Sequence, residues 1–126
     1  MKRSRINNRS NTDKARLSRT LDRLFQDAVC ARGRCEKCGK TYGLAGHHLI
    51  RRNNLWYRWM LDNAVCLCQA CHRLAHDFPR DFAVWLESAC PMRYEAWMAN
   101  KHNRSQGPVP MSIMEGWKLE LQGENT

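Results

Sequence analysis

The stretch CEKCGKTYGLAGHHLIRRNNLWYRWMLDNAVCLCQACHRLAH, residues 35–76, decides the fold because it holds two closely spaced cysteine pairs and four of the five histidines. The pairs are Cys35 with Cys38 and Cys68 with Cys71. Two residues between cysteines allow a tight turn to present both sulfurs to one ion, and two such turns complete a tetrahedron. Four thiolates leave no position for water, so the spacing predicts a structural metal site, with zinc favoured over iron. The alternative is two reduced pairs without a metal.

The four histidines of this stretch predict a second metal site. His72 and His76 are four residues apart on a predicted helix, so they share a face and can bind one ion. His47 or His48 would add a ligand from a strand. Neighbouring strand residues point to opposite faces, so only one of the two is expected to bind, and the spacing does not say which. The alternatives are a second structural site, or four surface or core histidines.

A neutral imidazole that is not a ligand has a use beside a metal-bound phosphate. Its unperturbed pKa of about 6.5 suits a general base. A divalent ion would neutralise charge that develops on the phosphate and stabilise the leaving oxygen. These are the two requirements of phosphodiester hydrolysis.

Hydrophobic periodicity predicts the elements around this stretch. A helix from Thr12 has its apolar stripe on Leu17, Leu21, Leu24, Phe25 and Ala28, and Gly33 follows its end. Next come a knuckle and strand over 34–50, an irregular loop over 51–62 and a strand over 64–67. Three helices are predicted after them, over 69–78, 80–89 and 93–101. A linker at 107–110 then precedes a short C-terminal helix, whose first turn is predicted to be closed by a Ser112-x-x-Glu115 capping box.

The charge of the chain is unevenly distributed. The formal net charge is +9, of which residues 1–34 contribute +7 and residues 35–126 contribute +2. A basic arm suits a polyanionic partner, because contacts to phosphates release condensed counterions. Charge alone does not distinguish DNA, RNA and a membrane surface, and a solvated basic tail is the simple alternative.

The localisation predicted from the sequence is cytoplasmic. No run of about 18 apolar residues indicates a transmembrane helix, and no apolar segment follows the basic N-terminus as in a secretory signal. In a reducing compartment, paired cysteines indicate metal rather than disulfides. Three of the seven cysteines, Cys30, Cys66 and Cys90, are interpreted as small apolar residues with free thiols.

A family resemblance is carried by His47-His48-Leu49-Ile50, Leu61-Asp62-Asn63, Leu67-Cys68-Gln69-Ala70-Cys71-His72 and His76. This run resembles the HNH endonuclease motif, with fifteen positions from His48 to Asn63, nine from Asn63 to His72 and four from His72 to His76. It is similar to the ββα-metal element of the zinc-cage subgroup and of the nuclease colicins. The motif covers residues 35–76, about a third of the chain.

The resemblance implies a role for each matching residue. His48 would be the general base that activates water, and Asn63 would hold the loop and orient that base. His47, His72 and His76 would bind the catalytic ion, which is Mg²⁺, Mn²⁺, Ni²⁺ or Zn²⁺. An all-histidine shell favours transition metals. The substrate would be duplex or branched DNA, cut to leave 5′-phosphate and 3′-hydroxyl ends.

The fold class that follows is α+β, with a small ββα-metal core and a zinc knuckle pair between N- and C-terminal helices. The expected organisation is a disordered basic arm over 1–11, a nuclease domain over 12–104, and a linker with a short helix over 105–126. The arginines expected to meet DNA phosphates are Arg51, Arg52, Arg58, Arg73, Arg16, Arg19 and Arg23.

Aromatic residues near the motif have two interpretations. Trp56 and Tyr57 would pack against a sugar or an unstacked base. Core packing is the alternative for Trp56, Trp59 and Met60, and it is the interpretation favoured for Trp85, Tyr94 and Trp97.

The predicted function is a divalent-metal-dependent endonuclease acting on DNA. One alternative is a non-catalytic zinc-ribbon protein that binds nucleic acid. This alternative explains the four-cysteine metal site and the basic charge, but it leaves the spacing of His48 and Asn63 to coincidence. Another is a structure-selective recombination nuclease of phage origin. Membership of a larger packaging, restriction or recombination complex is a further possibility.

Overall fold

The computed structural model describes residues 5–103 and 107–124. In chain order its elements are α1 (Arg5–Cys30), β1 (Leu44–His48), α2 (Leu55–Arg58), a 3₁₀ turn (Leu61–Asn63), β2 (Ala64–Cys68), α3 (Gln69–Asp77), α4 (Pro79–Ala89), α5 (Pro91–Asn100) and α6 (Met111–Glu124). A small two-stranded sheet among helices confirms the predicted α+β class.

The two strands form an antiparallel hairpin. Leu44 pairs with Cys68 at one end and His48 pairs with Ala64 at the other. All five residues of β2 are buried because helices cover both faces of the hairpin. Along residues 64–67 the strand therefore alternates between two cores, with Cys66 facing α1 and Val65 on the side of α3.

The first core is built on α1. The predicted stripe is buried at Leu17, Leu21, Leu24 and Phe25, and Val29 continues it in place of the half-buried Ala28. The same cluster contains Trp59, Val109, Met114 and Leu121. The C-terminal helix α6 is thus packed against α1 within one core.

The second core lies between the hairpin, α3, α4 and α5. Its buried members include Leu67, Phe82 and Leu86. Trp85, Tyr94 and Trp97 pack against this cluster, and Trp56 packs against the first one, as the core interpretation expects. Met60 does not fit that interpretation, because 44% of it is exposed.

Several predicted boundaries were wrong. Helix α1 begins at Arg5 rather than Thr12, so residues 5–11, expected to be disordered, are helical. Extending an existing helix costs far less than nucleating one, and this lengthens α1 beyond its apolar stripe. The prediction of disorder for residues 1–4 lies outside the described residues.

The predicted loop over 51–62 and the predicted N-terminal cap of the last helix also differ from the structure. Residues 51–62 contain α2, which is capped by Asn54 accepting a hydrogen bond from the amide of Trp56. The capping box at Ser112 was wrong, because α6 begins at Met111 and the carbonyl of Pro110 accepts the amides of Ile113 and Met114. Ser112 therefore lies inside the first turn.

Prolines begin the two helices that follow α3. Pro79 and Pro91 occupy the first turns of α4 and α5, where an amide donor is not needed. Within the described ranges, no helix has both the length and the apolar character required to cross a bilayer.

Packing of α6 into the first core can be tested with two residues of that helix. Met114 is fully buried, and 70% of Leu119 is exposed. We expect Met114→Ala to lower the free energy of unfolding by about 3 kcal/mol, because it leaves a cavity. Leu119→Ala should change it by less than about 0.5 kcal/mol. Urea unfolding measures both, and equal effects would mean that α6 does not belong to the core.

Candidate metal centres

The four cysteine sulfurs lie together at the junction of the hairpin and α3. All four Sγ atoms are within 4.8 Å of one another, and those of Cys38 and Cys68 are 3.6 Å apart. Tetrahedral zinc–sulfur bonds of about 2.3 Å separate neighbouring sulfurs by about 3.8 Å. The cluster therefore has the dimensions of a site for a metal such as zinc.

A tight turn presents the first two sulfurs. The amide of Gly39 donates to the carbonyl of Cys35 over 2.9 Å, and the amide of Cys35 donates to the carbonyl of Lys40 over 2.7 Å. Gly39 has a φ of +83°, which a side chain would disfavour. Cys68 ends β2 and Cys71 lies in the first turn of α3, so the second pair is positioned by regular structure.

The cysteines do not ionise alike. Burial opposes ionisation of Cys35, but hydrogen bonds from the amides of Cys68, Cys38 and Lys37 outweigh it and lower its pKa to about 6. Burial and the surrounding thiols raise the pKa of Cys71 to about 12. Four thiolates at this spacing repel one another, and a divalent cation bound to all of them would offset that repulsion.

An unpredicted carboxylate connects the cysteine turn to the rest of the protein. Oε2 of Glu36 accepts the amide of Cys66 over 2.7 Å, and the amide of Glu36 donates to the carbonyl of Cys66 over 2.8 Å. Arg93 of α5 donates to both carboxylate oxygens, and Arg32 donates to one. Burial opposes this charge, but the hydrogen bonds with Arg93 and Cys66 hold the pKa of Glu36 below its usual value.

Three imidazoles form the second cluster. His47 comes from β1, whereas His72 and His76 come from adjacent turns of α3. One nitrogen from each ring lies within 4.8 Å of the others, and the Nε2 atoms of His72 and His76 are 3.2 Å apart. The ring of Phe82 stands 5.0 Å from that of His47 and forms a wall of the cluster.

Two of these imidazoles, His47 and His72, are held in the neutral form by a lowered pKa. Burial first, then the neighbouring His72 and His76, lowers the pKa of His47 to about 3. Burial and His76 also lower the pKa of His72. Neutral imidazole is the form that binds a metal, so the cluster suits a divalent ion at neutral pH.

His48 lies apart from the three-histidine cluster. Its ring stacks on Phe25 of α1 with centroids 4.8 Å apart, and its Nε2 is 2.9 Å from the carbonyl oxygen of Arg58. A carbonyl only accepts, so Nε2 carries the proton and Nδ1 of the neutral ring carries the lone pair. Burial, with the charges of Arg52 and Arg58, lowers the pKa of His48.

Asn63 holds both ends of the loop that follows β1. Its buried Oδ1 accepts the amide of Ile50 over 2.7 Å, and Nδ2 donates to the carbonyls of Ile50 and Tyr57 over 3.0 and 3.1 Å. The carbonyl of Asn63 also accepts the amide of Leu49. The neighbouring Arg58 carbonyl, which contacts His48, is thereby held in place.

Asp22 of α1 binds two of the predicted arginines. Its carboxylate accepts two hydrogen bonds from Arg58, at 3.0 and 2.7 Å, one from Arg52 at 3.2 Å, and one from the indole of Trp59 at 2.8 Å. Only 18% of the Arg58 side chain is exposed, against 61% for Arg52. Arg58 therefore has a structural ion pair that competes with the phosphate role predicted for it.

The remaining predicted arginines are exposed. They are Arg16, Arg19 and Arg23 on α1, Arg51 after β1, and Arg73 on α3. Arg51 lines an open cavity of about 770 Å³ together with Trp56, Trp97 and Lys101.

Comparison of the chain with protein-family models, curated proteins and solved structures found no match.

The metal role of the cysteine cluster is tested by Cys35→Ser with Cys30→Ser as its control. Cys30 lies outside the cluster, and its thiol donates to the carbonyl of Leu44, as a serine would. We expect Cys35→Ser to lose the sulfur-to-cobalt absorption band of Co²⁺-loaded protein and to unfold, since thiolate metal sites contribute on the order of 10 kcal/mol to folding. Cys30→Ser should keep both band and melting temperature. A folded Cys35→Ser protein with normal melting would contradict the assignment.

The buried histidines predict a pH dependence of stability. The pKa of His47 is lower in the folded protein than the ordinary value of about 6.5, so below that pH the unfolded chain binds a proton that the folded chain does not. Stability should therefore fall between about pH 6.5 and 5, above the range where carboxylates titrate. Urea unfolding of protein dialysed to remove weakly bound metal measures this loss. This loss of stability should be smaller in His47→Gln than in the control His102→Gln, whose side chain is exposed. An identical loss in the wild type and both variants would contradict the prediction.

Proposed function

We propose that this protein is a divalent-metal-dependent endonuclease of the HNH kind that hydrolyses DNA phosphodiester bonds. The observation that carries the proposal is the convergence of His47, His72 and His76 within 4.8 Å, with His48 next to His47 on the same strand. In this proposal the hairpin and α3 are the ββα-metal element, and the cysteine cluster is its structural zinc knuckle pair.

Three converging imidazoles fit a catalytic ion. His47, His72 and His76 would hold it, and three protein ligands leave coordination positions open for substrate. Bound there, the ion would neutralise phosphate charge and stabilise the leaving oxygen. Imidazole ligands favour Ni²⁺ or Zn²⁺ over Mg²⁺.

His48 supplies the general base in this mechanism. Because its Nε2 donates to the Arg58 carbonyl, Nδ1 is free to accept a proton from the attacking water. In-line displacement puts the attacking and leaving oxygens on opposite sides of phosphorus. Side chains of His47 and His48 diverge from adjacent positions of β1, so a phosphate at this end of the hairpin would meet the ion on one side and the base on the other.

The surrounding residues position the base and the substrate. Asn63 holds the loop whose Arg58 carbonyl orients the His48 ring. Arg52 acts electrostatically on His48 and has an exposed side chain, which suits a phosphate contact beside the base. Arg73 directly follows the ligand His72 and offers a second exposed cation.

The proposal is tested by incubating supercoiled plasmid with wild-type protein, His48→Ala and His102→Ala in separate Mg²⁺, Mn²⁺, Ni²⁺ and Zn²⁺ buffers. We expect nicking or linearisation by the wild type and by His102→Ala. Loss of the general base should slow cleavage by His48→Ala by about 10² to 10⁴. Nicks that DNA ligase reseals would establish 5′-phosphate and 3′-hydroxyl ends.

The other outcomes separate the alternatives. DNA binding without cleavage in every buffer would indicate a zinc-dependent binding protein. Equal cleavage by wild type and His48→Ala would remove the support for His48 as the base. The same assay on a four-way junction and its matching linear duplex distinguishes a structure-selective nuclease from a general one.

A further inference from the structure

The cysteine turn carries exposed positive charge that the proposed mechanism does not use. Arg34, Lys37, Lys40 and Tyr42 are all exposed, and we refer to them together as the knuckle surface. In the described part of the chain, none of its three cations forms an ion pair with a carboxylate. Glu36, the acidic residue of this turn, has its charge taken up by Arg32 and Arg93. The exposed side chains that this surface offers to a partner are therefore basic.

An aromatic ring lies among these charges. Tyr42 is 70% exposed, and the ammonium of Lys40 is 5.7 Å from its ring centroid. A cation beside an exposed ring is the combination used by surfaces that follow a nucleic-acid strand, where the cation meets phosphate and the ring packs on a sugar or base. The chemistry of the knuckle surface thus fits a polynucleotide backbone.

The cysteine cluster that carries the knuckle surface lies close to the histidine cluster along both α3 and β1. Cys71 and His76 are both on α3, five residues apart, which corresponds to about 8 Å along the helix axis. On β1, Leu44 pairs with Cys68 at the knuckle end, and His47 lies three residues further, about 10 Å away. One strand of duplex DNA advances about 3.4 Å per nucleotide, so these distances span about two or three nucleotides.

We propose that the knuckle surface binds the DNA backbone two or more nucleotides from the scissile phosphate. The cysteine cluster then has a second role, since the turn that it holds carries Lys37 and Lys40 at a fixed distance from the proposed catalytic ion. This inference takes its substrate from the proposed function, but it concerns binding rather than cleavage.

Salt dependence of binding tests the proposal quantitatively. Each phosphate contact contributes about 0.9 to the slope of log K against log salt for duplex DNA. The binding measurements use a His48→Ala background, which prevents cutting. We expect Lys37→Ala and Lys40→Ala each to reduce the magnitude of the negative slope by about 0.9, and the double variant to reduce it by about 1.8. Fluorescence anisotropy of a labelled duplex over a series of salt concentrations measures the slope.

Lys118→Ala is the matched control. Lys118 lies on α6, which packs against α1 rather than α3, so its removal should leave the slope unchanged. An equal decrease in the control and the knuckle variants would mean that overall charge, not this surface, governs binding. That result would overturn the proposal.

Further outcomes separate this inference from the proposed function. Cleavage by wild type with an unchanged slope in the knuckle variants would overturn the knuckle surface and leave the nuclease intact. If the wild-type protein never cuts but its salt slope depends on Lys37 and Lys40, the knuckle surface would stand and the proposed nuclease function would fail. Loss of zinc or a lower melting temperature in the knuckle variants would mean that these cations offset thiolate charge, and it would overturn the proposal. Tighter binding of RNA than of DNA would assign the surface to RNA and would also overturn it.

Discussion

The pairing of β1 with β2 is the constraint on which the rest of the structure depends. Leu44 opposite Cys68 brings both cysteine pairs to one end, and His48 opposite Ala64 puts the histidine pair at the other. A slip of one residue would reverse the faces of His47 and His48. The cysteine cluster, which includes Cys68, holds one end of the hairpin. Hydrogen bonds from the buried side chain of Asn63 to the backbone of Ile50 hold the other end.

Two half-buried carboxylates attach the irregular segments to this hairpin. Glu36 joins the cysteine turn to β2 and α5, and Asp22 joins α1 to the loop that contains Arg58 and Trp59. Each carboxylate accepts several charged or amide donors, which is the condition under which a charge removed from water is tolerated. Turns without regular structure thereby keep one geometry beside the histidines.

The candidate site was predictable where its residues are close in sequence. The two cysteine pairs, and His72 with His76, follow from short spacings on a turn or a helix, and the structure brings each set together. Asp22, Arg32, Glu36 and Arg93 were missed because an isolated charged residue has no sequence pattern that names its partner. One partner of Glu36, Arg93, is 57 residues away, and only folding makes the two neighbours.

The sequence alone determined the α+β class, the two strands, and the cysteine and histidine sets that could hold metal ions, because spacing and periodicity are local properties of a chain. Residue spacing left open whether His47 or His48 joins His72 and His76, and the family resemblance implied His47. The tertiary structure places His47 with His72 and His76 and stacks His48 on Phe25, since that choice depends on which face of β1 each helix covers. It also decided that α6 closes the first core and that Asp22 holds Arg58. Those outcomes depend on contacts between segments far apart in the chain, which no local pattern records.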